Sequence, residues 1–304
     1  GGETSAAKLV GFTLQNGNGL IINSRRYGGG IFTKNASPSL KHLSVKNNAN
    51  STGATYVYGA GIYFGTNSDA ILDSSEIINN GESVVGFGGG IYIHSNTDVT
   101  FDGVLIKNNK ASFGGGIYLP AKLGNANPVF RRVEIISNEA IHGGGIYVGG
   151  KATGLLKMYN SKVTNNIATG YGGGFYIIRS TNKIELYDIL ITGNSAVTKG
   201  GGIYVNEAKP RIERSLFEGN ASKNGGAIYV DKPTAELNLV NSILYNNTAT
   251  EYGSAIFSYN QSTANIYHTT ISNNTAGLDA TIRPDYGSKI YFYNSILWNN
   301  AATN

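Results

Sequence analysis

One short sequence pattern recurs ten times along the chain. In each repeat an apolar residue is followed three positions later by an asparagine, and a short loop then leads to two or three glycines and an Ile-Tyr pair. Successive asparagines lie 26 to 32 residues apart, at Asn48, Asn80, Asn109, Asn138, Asn166, Asn194, Asn220, Asn247, Asn274 and Asn300. A fixed period in this range is typical of solenoid proteins, in which each repeat packs against its neighbours.

Two apolar columns appear when the repeats are aligned on this asparagine. The first stands three positions before it (Val45 and Ile77 are examples), and the second stands five positions earlier (Leu40 and Leu72). The residues around them alternate in polarity, which indicates strands rather than helices. We therefore predict an all-β, right-handed parallel β-helix of about 10–11 coils with three short strands per coil, forming one domain over residues 1–304.

The asparagines and glycines are interpreted as structural. Asparagines stacked at a tight turn can exchange amide hydrogen bonds from coil to coil, and asparagine also tolerates the left-handed backbone of such turns. The glycines before Ile-Tyr allow positive φ and close approach of neighbouring backbones.

Composition excludes several classes of protein. The chain has no cysteine, so zinc-thiolate sites and disulfides are excluded. The net charge of +5 is spread along the sequence, which argues against a nucleic-acid partner. No apolar stretch approaches the ~20 residues of a membrane span. Because the sequence begins and ends within repeats, we expect it to be a fragment of a longer secreted protein.

The segment from Phe217 to Ile228 carries a family resemblance. Phe217-Glu218-Gly219-Asn220 followed by Gly225-Gly226-Ala227-Ile228 resembles the FxxN and GGAI repeat pair of chlamydial polymorphic outer-membrane proteins. The final Asn294–Asn300 segment is similar to repeats of large secreted bacterial β-helix proteins. The resemblance implies a bacterial passenger that is secreted or displayed on the outer surface, commonly an adhesin.

The Ile-Tyr strand supplies the first candidate site. Its second position is aromatic in nine consecutive coils: Phe32, Tyr63, Tyr92, Tyr118, Tyr147, Tyr176, Tyr204, Tyr229 and Phe257. If this column faces outward, it forms an exposed stripe that can bind glycan rings or a partner protein. The alternative is that the stacked rings only stabilise the sheet.

A second candidate is the column Lys41, Asp73, Asp102 and Arg131 in four successive coils. Two neighbouring carboxylates can hold calcium or act as acid and base on a uronate-containing polysaccharide, with Arg131 as the cation. The flanking cations favour the alternative of a solvated salt-bridge ladder. No other cofactor is expected.

Two neighbouring loops and the basic residues supply the remaining candidates. Loops 49–58 and 81–87 carry Tyr56, Tyr58 and Phe87, and we expect them to form one aromatic patch at a shared corner. The basic residues Arg131, Arg132, Lys157, Lys162, Arg211 and Arg214 show no accompanying acidic cluster, which argues against a lyase.

These patterns favour a non-catalytic extracellular adhesin or stalk over an enzyme. We expect an extracellular polysaccharide or a host cell-surface protein as its partner. The rival hypotheses are a polysaccharide lyase or hydrolase, and a fibre subunit that stacks end to end through unpaired strand edges.

Overall fold

The computed structural model describes residues 2, 4, 6–49, 56–81, 86–120, 126–150, 154–180 and 183–302. Within these ranges every regular element is a β-strand, and nearly all strand pairs are parallel. The exception is the pair Leu20–Ile22 and Arg25–Tyr27, which is antiparallel. The chain winds through four sheets, called A to D in the order in which each coil visits them.

Sheets A and B contain eleven strands each. The strands of sheet A are Lys8–Val10, Ser39–Lys41, Ile71–Asp73, Thr100–Asp102, Val129–Arg131, Leu155–Tyr159, Lys183–Tyr187, Pro210–Glu213, Glu236–Val240, Thr263–Tyr267 and Lys289–Tyr293. Those of sheet B are Thr13–Gln15, Ser44–Lys46, Glu76–Ile78, Leu105–Lys107, Glu134–Ile136, Lys162–Thr164, Leu190–Thr192, Leu216–Glu218, Ile243–Tyr245, Thr270–Ser272 and Ile296–Trp298.

Sheet C has two parts, which single bridges through Phe113 connect. The first part contains Leu20–Ile22, Arg25–Tyr27, Tyr56–Tyr58 and Gly86–Phe87. The second contains Glu139–His142, Ile167–Tyr171, Ser195–Lys199, Ala221–Asn224, Thr248–Tyr252, Thr275–Ala276 and Ala301–Ala302.

Sheet D follows the glycines and has ten strands. They are Ile31–Thr33, Ile62–Phe64, Ile91–Ile93, Ile117–Leu119, Ile146–Gly149, Phe175–Ile178, Ile203–Asn206, Ile228–Asp231, Ile256–Tyr259 and Ile282–Pro284. The parallel β-helix of about ten coils is thus confirmed. The strand count is corrected, since most coils have four strands rather than three: the short sheet C segments do not show the alternating pattern that marks the other strands.

The core confirms both apolar columns. Leu72, Phe101 and Phe130 stack in register in sheet A and are fully buried, and the column of Ile77 does the same in sheet B. At the last coil the same positions, Phe292 and Leu297, are exposed. Burial in the other coils follows from stacking, because each coil covers the apolar side chains of its neighbours.

The predicted asparagine ladder is also confirmed. From Asn48 to Asn300, each side-chain amide Nδ2 donates to Oδ1 of the next ladder asparagine at 2.9–3.1 Å. One detail of the prediction is wrong. The residue with the left-handed backbone conformation is the one just before the ladder asparagine, not the ladder asparagine itself. Asn165, with φ of 55°, precedes the ladder residue Asn166. Two adjacent residues therefore share the turn. The first adopts the left-handed backbone conformation, and the second directs its side-chain amide into the core.

Candidate functional site: an aromatic corner

The outward side chains of sheets C and D meet along one edge of the β-helix. The bend between the two sheets occurs at the first glycine of each repeat, such as Gly172, which has φ of 67°. A Cβ at Gly172 would lie 2.3 Å from the carbonyl oxygen of Phe175, so only glycine fits this bend. Because the outward rings of the two sheets contact each other, the edge is concave towards solvent.

The inner column of this corner is the predicted aromatic column of sheet D. Its members pair in register from coil to coil, and the row ends at Arg283, which pairs with Phe257. Neighbouring rings stack closely: the Tyr118 and Tyr147 centroids are 4.7 Å apart, and those of Tyr147 and Tyr176 are 5.0 Å apart.

A flanking column, which the sequence interpretation missed, lies beside it on sheet C. It is formed by the residue just before the first glycine of each repeat: Tyr27, Tyr58, Phe87, Phe113, His142, Tyr171, Lys199, Asn224 and Tyr252. The first six rings follow one another at centroid distances of 4.9–5.7 Å, and every neighbouring pair is stacked except Phe113 and His142, which are tilted by 35°. The signal was present in the sequence, since six of the nine residues are tyrosine or phenylalanine.

The two columns cover each other. Rings of the flanking column contact the inner column edge-on in the first coils, with Tyr58 and Tyr92 centroids 5.5 Å apart and Phe113 and Tyr147 centroids 5.7 Å apart. Further along the corner they stack, as Tyr171 does on Tyr204 at 5.2 Å. The two columns therefore form one layer on the outside of the sheets, which is aromatic at every position except Lys199 and Asn224.

The expectation that the inner column is exposed is wrong for most of its members. Tyr63, Tyr92, Tyr176, Tyr204, Tyr229 and Phe257 are buried, and Tyr118 and Tyr147 are half-buried. Burial raises the pKa of the Tyr92 and Tyr229 hydroxyls above the usual tyrosine value. The half-buried flanking column is the part of the corner that solvent and ligands reach most readily.

A polar cluster interrupts the aromatic layer at Lys199. Its ammonium nitrogen lies 4.6 Å from the centre of the Tyr229 ring and 3.7 Å from Oδ2 of Asp231. The Tyr204 hydroxyl donates to the same Oδ2 at 2.8 Å, and Nδ2 of Asn206 donates to the Tyr204 oxygen at 2.9 Å. Burial, followed by the Asp231 charge, raises the pKa of Tyr204, so this hydroxyl stays protonated and continues to donate.

The second candidate column lies on the outer face of sheet A, away from this corner. Asp73 and Asp102 pair in register, but each has its own cation: Nζ of Lys41 is 3.0 Å from Asp73, and Nη2 of Arg132 is 2.6 Å from Asp102. The hydrogen bond from Lys41 holds the pKa of Asp73 below its usual value. Arg131 instead lies over the Tyr159 ring, 5.1 Å from its centre.

The predicted loop patch is partly described. Tyr56 and Tyr58 both contact Phe87, with ring centroids 6.1 and 5.2 Å apart. These three residues therefore come together at the beginning of the flanking column. Residues 50–55 and 82–85 of the two loops lie outside the described residues.

Several of the basic residues form surface ion pairs. Lys162 pairs with Glu134, Arg211 with Glu213, and Arg214 with both Asp188 and Glu213. Exposed pairs of this kind contribute little to stability, because solvent screens the charges and ordering the long side chains costs entropy. In the described ranges there is no group of three or more histidine and acidic side chains placed to hold a metal ion. Nor does this part of the chain contain a helix suited to cross a bilayer.

The stacked parallel coils, the asparagine ladder and the glycine bends define a β-helical solenoid. A family model described as a right-handed β-helix region matches residues 6–153 and 121–301. The chain therefore belongs to the family of right-handed β-helix regions. Comparison with curated proteins and with solved structures gave no match.

Proposed function

We propose that this β-helix is a non-catalytic binding protein and that its aromatic corner holds an extended polymer, foremost a glycan. The observation that supports this proposal is the pair of columns that runs over nine coils, aromatic at every inner position and at every flanking position except Lys199 and Asn224. A polymer that runs parallel to the helix axis meets an equivalent surface at each coil, about 4.8 Å further along.

Aromatic rings suit the flat faces of sugar rings, because they offer apolar area together with a polar edge. The flanking column supplies such rings in a half-buried state, held rigidly by their stacked neighbours. Little side-chain entropy is then lost when a ligand binds. In line with the repeat resemblance, we place this activity outside the cell or on the bacterial outer surface, where the partner would be a polysaccharide or the glycan of a host protein.

A catalytic role receives less support. General acid catalysis needs a carboxyl group with a raised pKa, whereas Lys41 lowers the pKa of Asp73. Asp102 is engaged by Arg132, and Arg131 lies on an aromatic ring. We therefore keep polysaccharide cleavage as an outcome of the test rather than as the proposal.

Affinity electrophoresis tests the proposed function. Native gels cast with neutral or acidic polysaccharides, with and without calcium, are run with the wild type and with the double variant Tyr58→Ser/Phe113→Ser. We expect some polymers to retard the wild type and to retard the double variant much less. The control is Tyr159→Ser, which removes a ring that stacks on Tyr187 at 5.5 Å on sheet A.

Each outcome has a definite meaning. Equal retardation of the wild type and the corner variant would refute binding at the corner, and a cleared zone in the polymer stain would establish an enzyme. If no polymer retards the wild type, the glycan proposal fails. Self-association through strand edges, the rival hypothesis, would instead give light scattering that rises with protein concentration.

A further inference from the structure

The cluster around Lys199 brings a cation of the flanking column next to a carboxylate that lies beside the inner column. The flanking column has a cation at Lys199, and Asp231 lies beside the inner column, two residues after Tyr229. The Asp231 side chain is 7% exposed, whereas the Lys199 side chain is 29% exposed. A buried carboxylate and a more accessible ammonium thus lie side by side in the seventh and eighth of the nine coils of the aromatic corner.

The carboxylate of Asp231 is only partly satisfied. Oδ2 accepts the hydrogen bond from Tyr204, but Oδ1 is buried and accepts no hydrogen bond from any described residue. An ionised carboxylate has about four acceptor positions, and buried polar atoms are normally paired. Oδ2 accepts one hydrogen bond from Tyr204, so it keeps a second acceptor position that a donor from outside the protein can fill.

Aromatic rings hold the ammonium group of Lys199 in position, and its hydrogen-bond donors remain available. It lies 4.6, 5.6 and 5.8 Å from the centres of the Tyr229, Tyr259 and Tyr171 rings. Its distance of 3.7 Å to Asp231 is longer than a hydrogen bond. The three rings fix the position of the charge by cation–π attraction and leave its N–H donors available for an anion.

We infer that Lys199 and Asp231 form a subsite for an acidic sugar within the polymer that the aromatic corner holds. The anionic substituent of the sugar, a carboxylate or a sulfate, pairs with Lys199. A neighbouring hydroxyl donates to Asp231, and the half-buried Tyr259 ring packs against the sugar. This inference rests on the proposed function and adds the class of sugar that the surface selects.

The test uses pairs of polymers that differ only in charge. Polygalacturonate is compared with its methyl ester, and dextran sulfate with dextran, by affinity electrophoresis at fixed ionic strength. We expect at least one charged member to bind the wild type tenfold or more tightly than its neutral partner. The pair that shows the preference identifies the group as carboxylate or sulfate.

Two variants separate this subsite from general charge attraction. Lys199→Met keeps the apolar stem over Tyr229 and removes the charge, so the tenfold preference should disappear. Lys223→Met is the matched control, because it removes one lysine charge from the next strand of sheet C, at an exposed pair with Glu251. The control should keep the full preference, and an equal loss in both variants would overturn the inference.

Whether Asp231→Asn tightens or weakens the binding of an anionic polymer gives an independent criterion. Simple attraction predicts that removal of a negative charge tightens the binding of an anionic polymer. A hydroxyl acceptor at Asp231 predicts weaker binding, by several fold, in a variant whose circular dichroism matches the wild type. Tighter binding would overturn the subsite. If the wild type binds only neutral polymers, this inference fails while the proposed function stands, and if it binds none, both fail.

Discussion

Truncation of one rung of the asparagine ladder is the sharpest test of how this solenoid is stabilised. Asn166 is fully buried. Its Oδ1 accepts from the backbone N and from Nδ2 of Asn138 at 2.9 and 3.0 Å. Its Nδ2 donates to the Ile135 carbonyl oxygen at 2.9 Å and to Oδ1 of Asn194 at 3.0 Å. Asn166→Ala removes all four bonds from one coil.

The free-energy cost of Asn166→Ala depends on which hydrogen bonds the former partners of Asn166 retain. Nδ2 of Asn138 still donates to the Ile106 carbonyl, and Oδ1 of Asn194 still accepts from the backbone N of residue 166. The backbone N–H of Asn138 loses its acceptor. An unpaired buried group costs about 1–3 kcal/mol, and each of the other three lost bonds costs about 0.5–1.5 kcal/mol. We expect a total loss of about 2.5–7.5 kcal/mol in the free energy of unfolding.

Urea denaturation followed by circular dichroism measures this loss. The matched control is Asn165→Gly, which changes the adjacent, exposed asparagine at φ of 55°, a conformation that glycine adopts readily. Hydrogen exchange of the Asn138 amide reports on the same site locally and does not require two-state unfolding of the whole solenoid. If Asn166→Ala unfolds within about 1 kcal/mol of the control, or if the Asn138 amide keeps its protection, the ladder does not stabilise the coils as argued.

Two further predictions concern the corner. His142 lies between Phe113 and Tyr171, and burial lowers its pKa below 6.5. The unfolded chain therefore binds a proton more readily than the folded chain. Stability should fall as the pH drops below about 6.5, and His142→Phe should reduce the fall in melting temperature between pH 7.5 and pH 5. Gly172→Ala combines left-handed strain of about 1–2 kcal/mol with a steric clash, whereas Gly219→Ala, at φ of 62° with no atom within 4 Å of the added Cβ, has the strain alone. Gly172→Ala should therefore unfold at clearly lower urea, and equal midpoints would refute the steric account.

The sequence by itself determined the solenoid. A coil cannot bury its apolar side without a neighbour, so the columns of Val45 and Leu40 had to repeat at a fixed spacing, and that spacing is readable without coordinates. The buried asparagine was identifiable for the same reason, because a polar residue that recurs beside two core positions needs identical partners above and below it.

The tertiary structure alone decided which surface the aromatic residues present. Alternation along the Ile-Tyr strand correctly places Tyr147 on the face of its strand that points away from the core. A side chain on that face can still be shielded from solvent by other side chains. The bend at the first glycine turns sheets C and D towards each other, so the outward rings of one sheet cover those of the other. It also brings Lys199 to Asp231, 32 residues away in sequence, in the neighbouring coil. The period of a repeat fixes which residues stack, whereas the angle between sheets, set by backbone dihedrals at a few glycines, fixes which stacks meet.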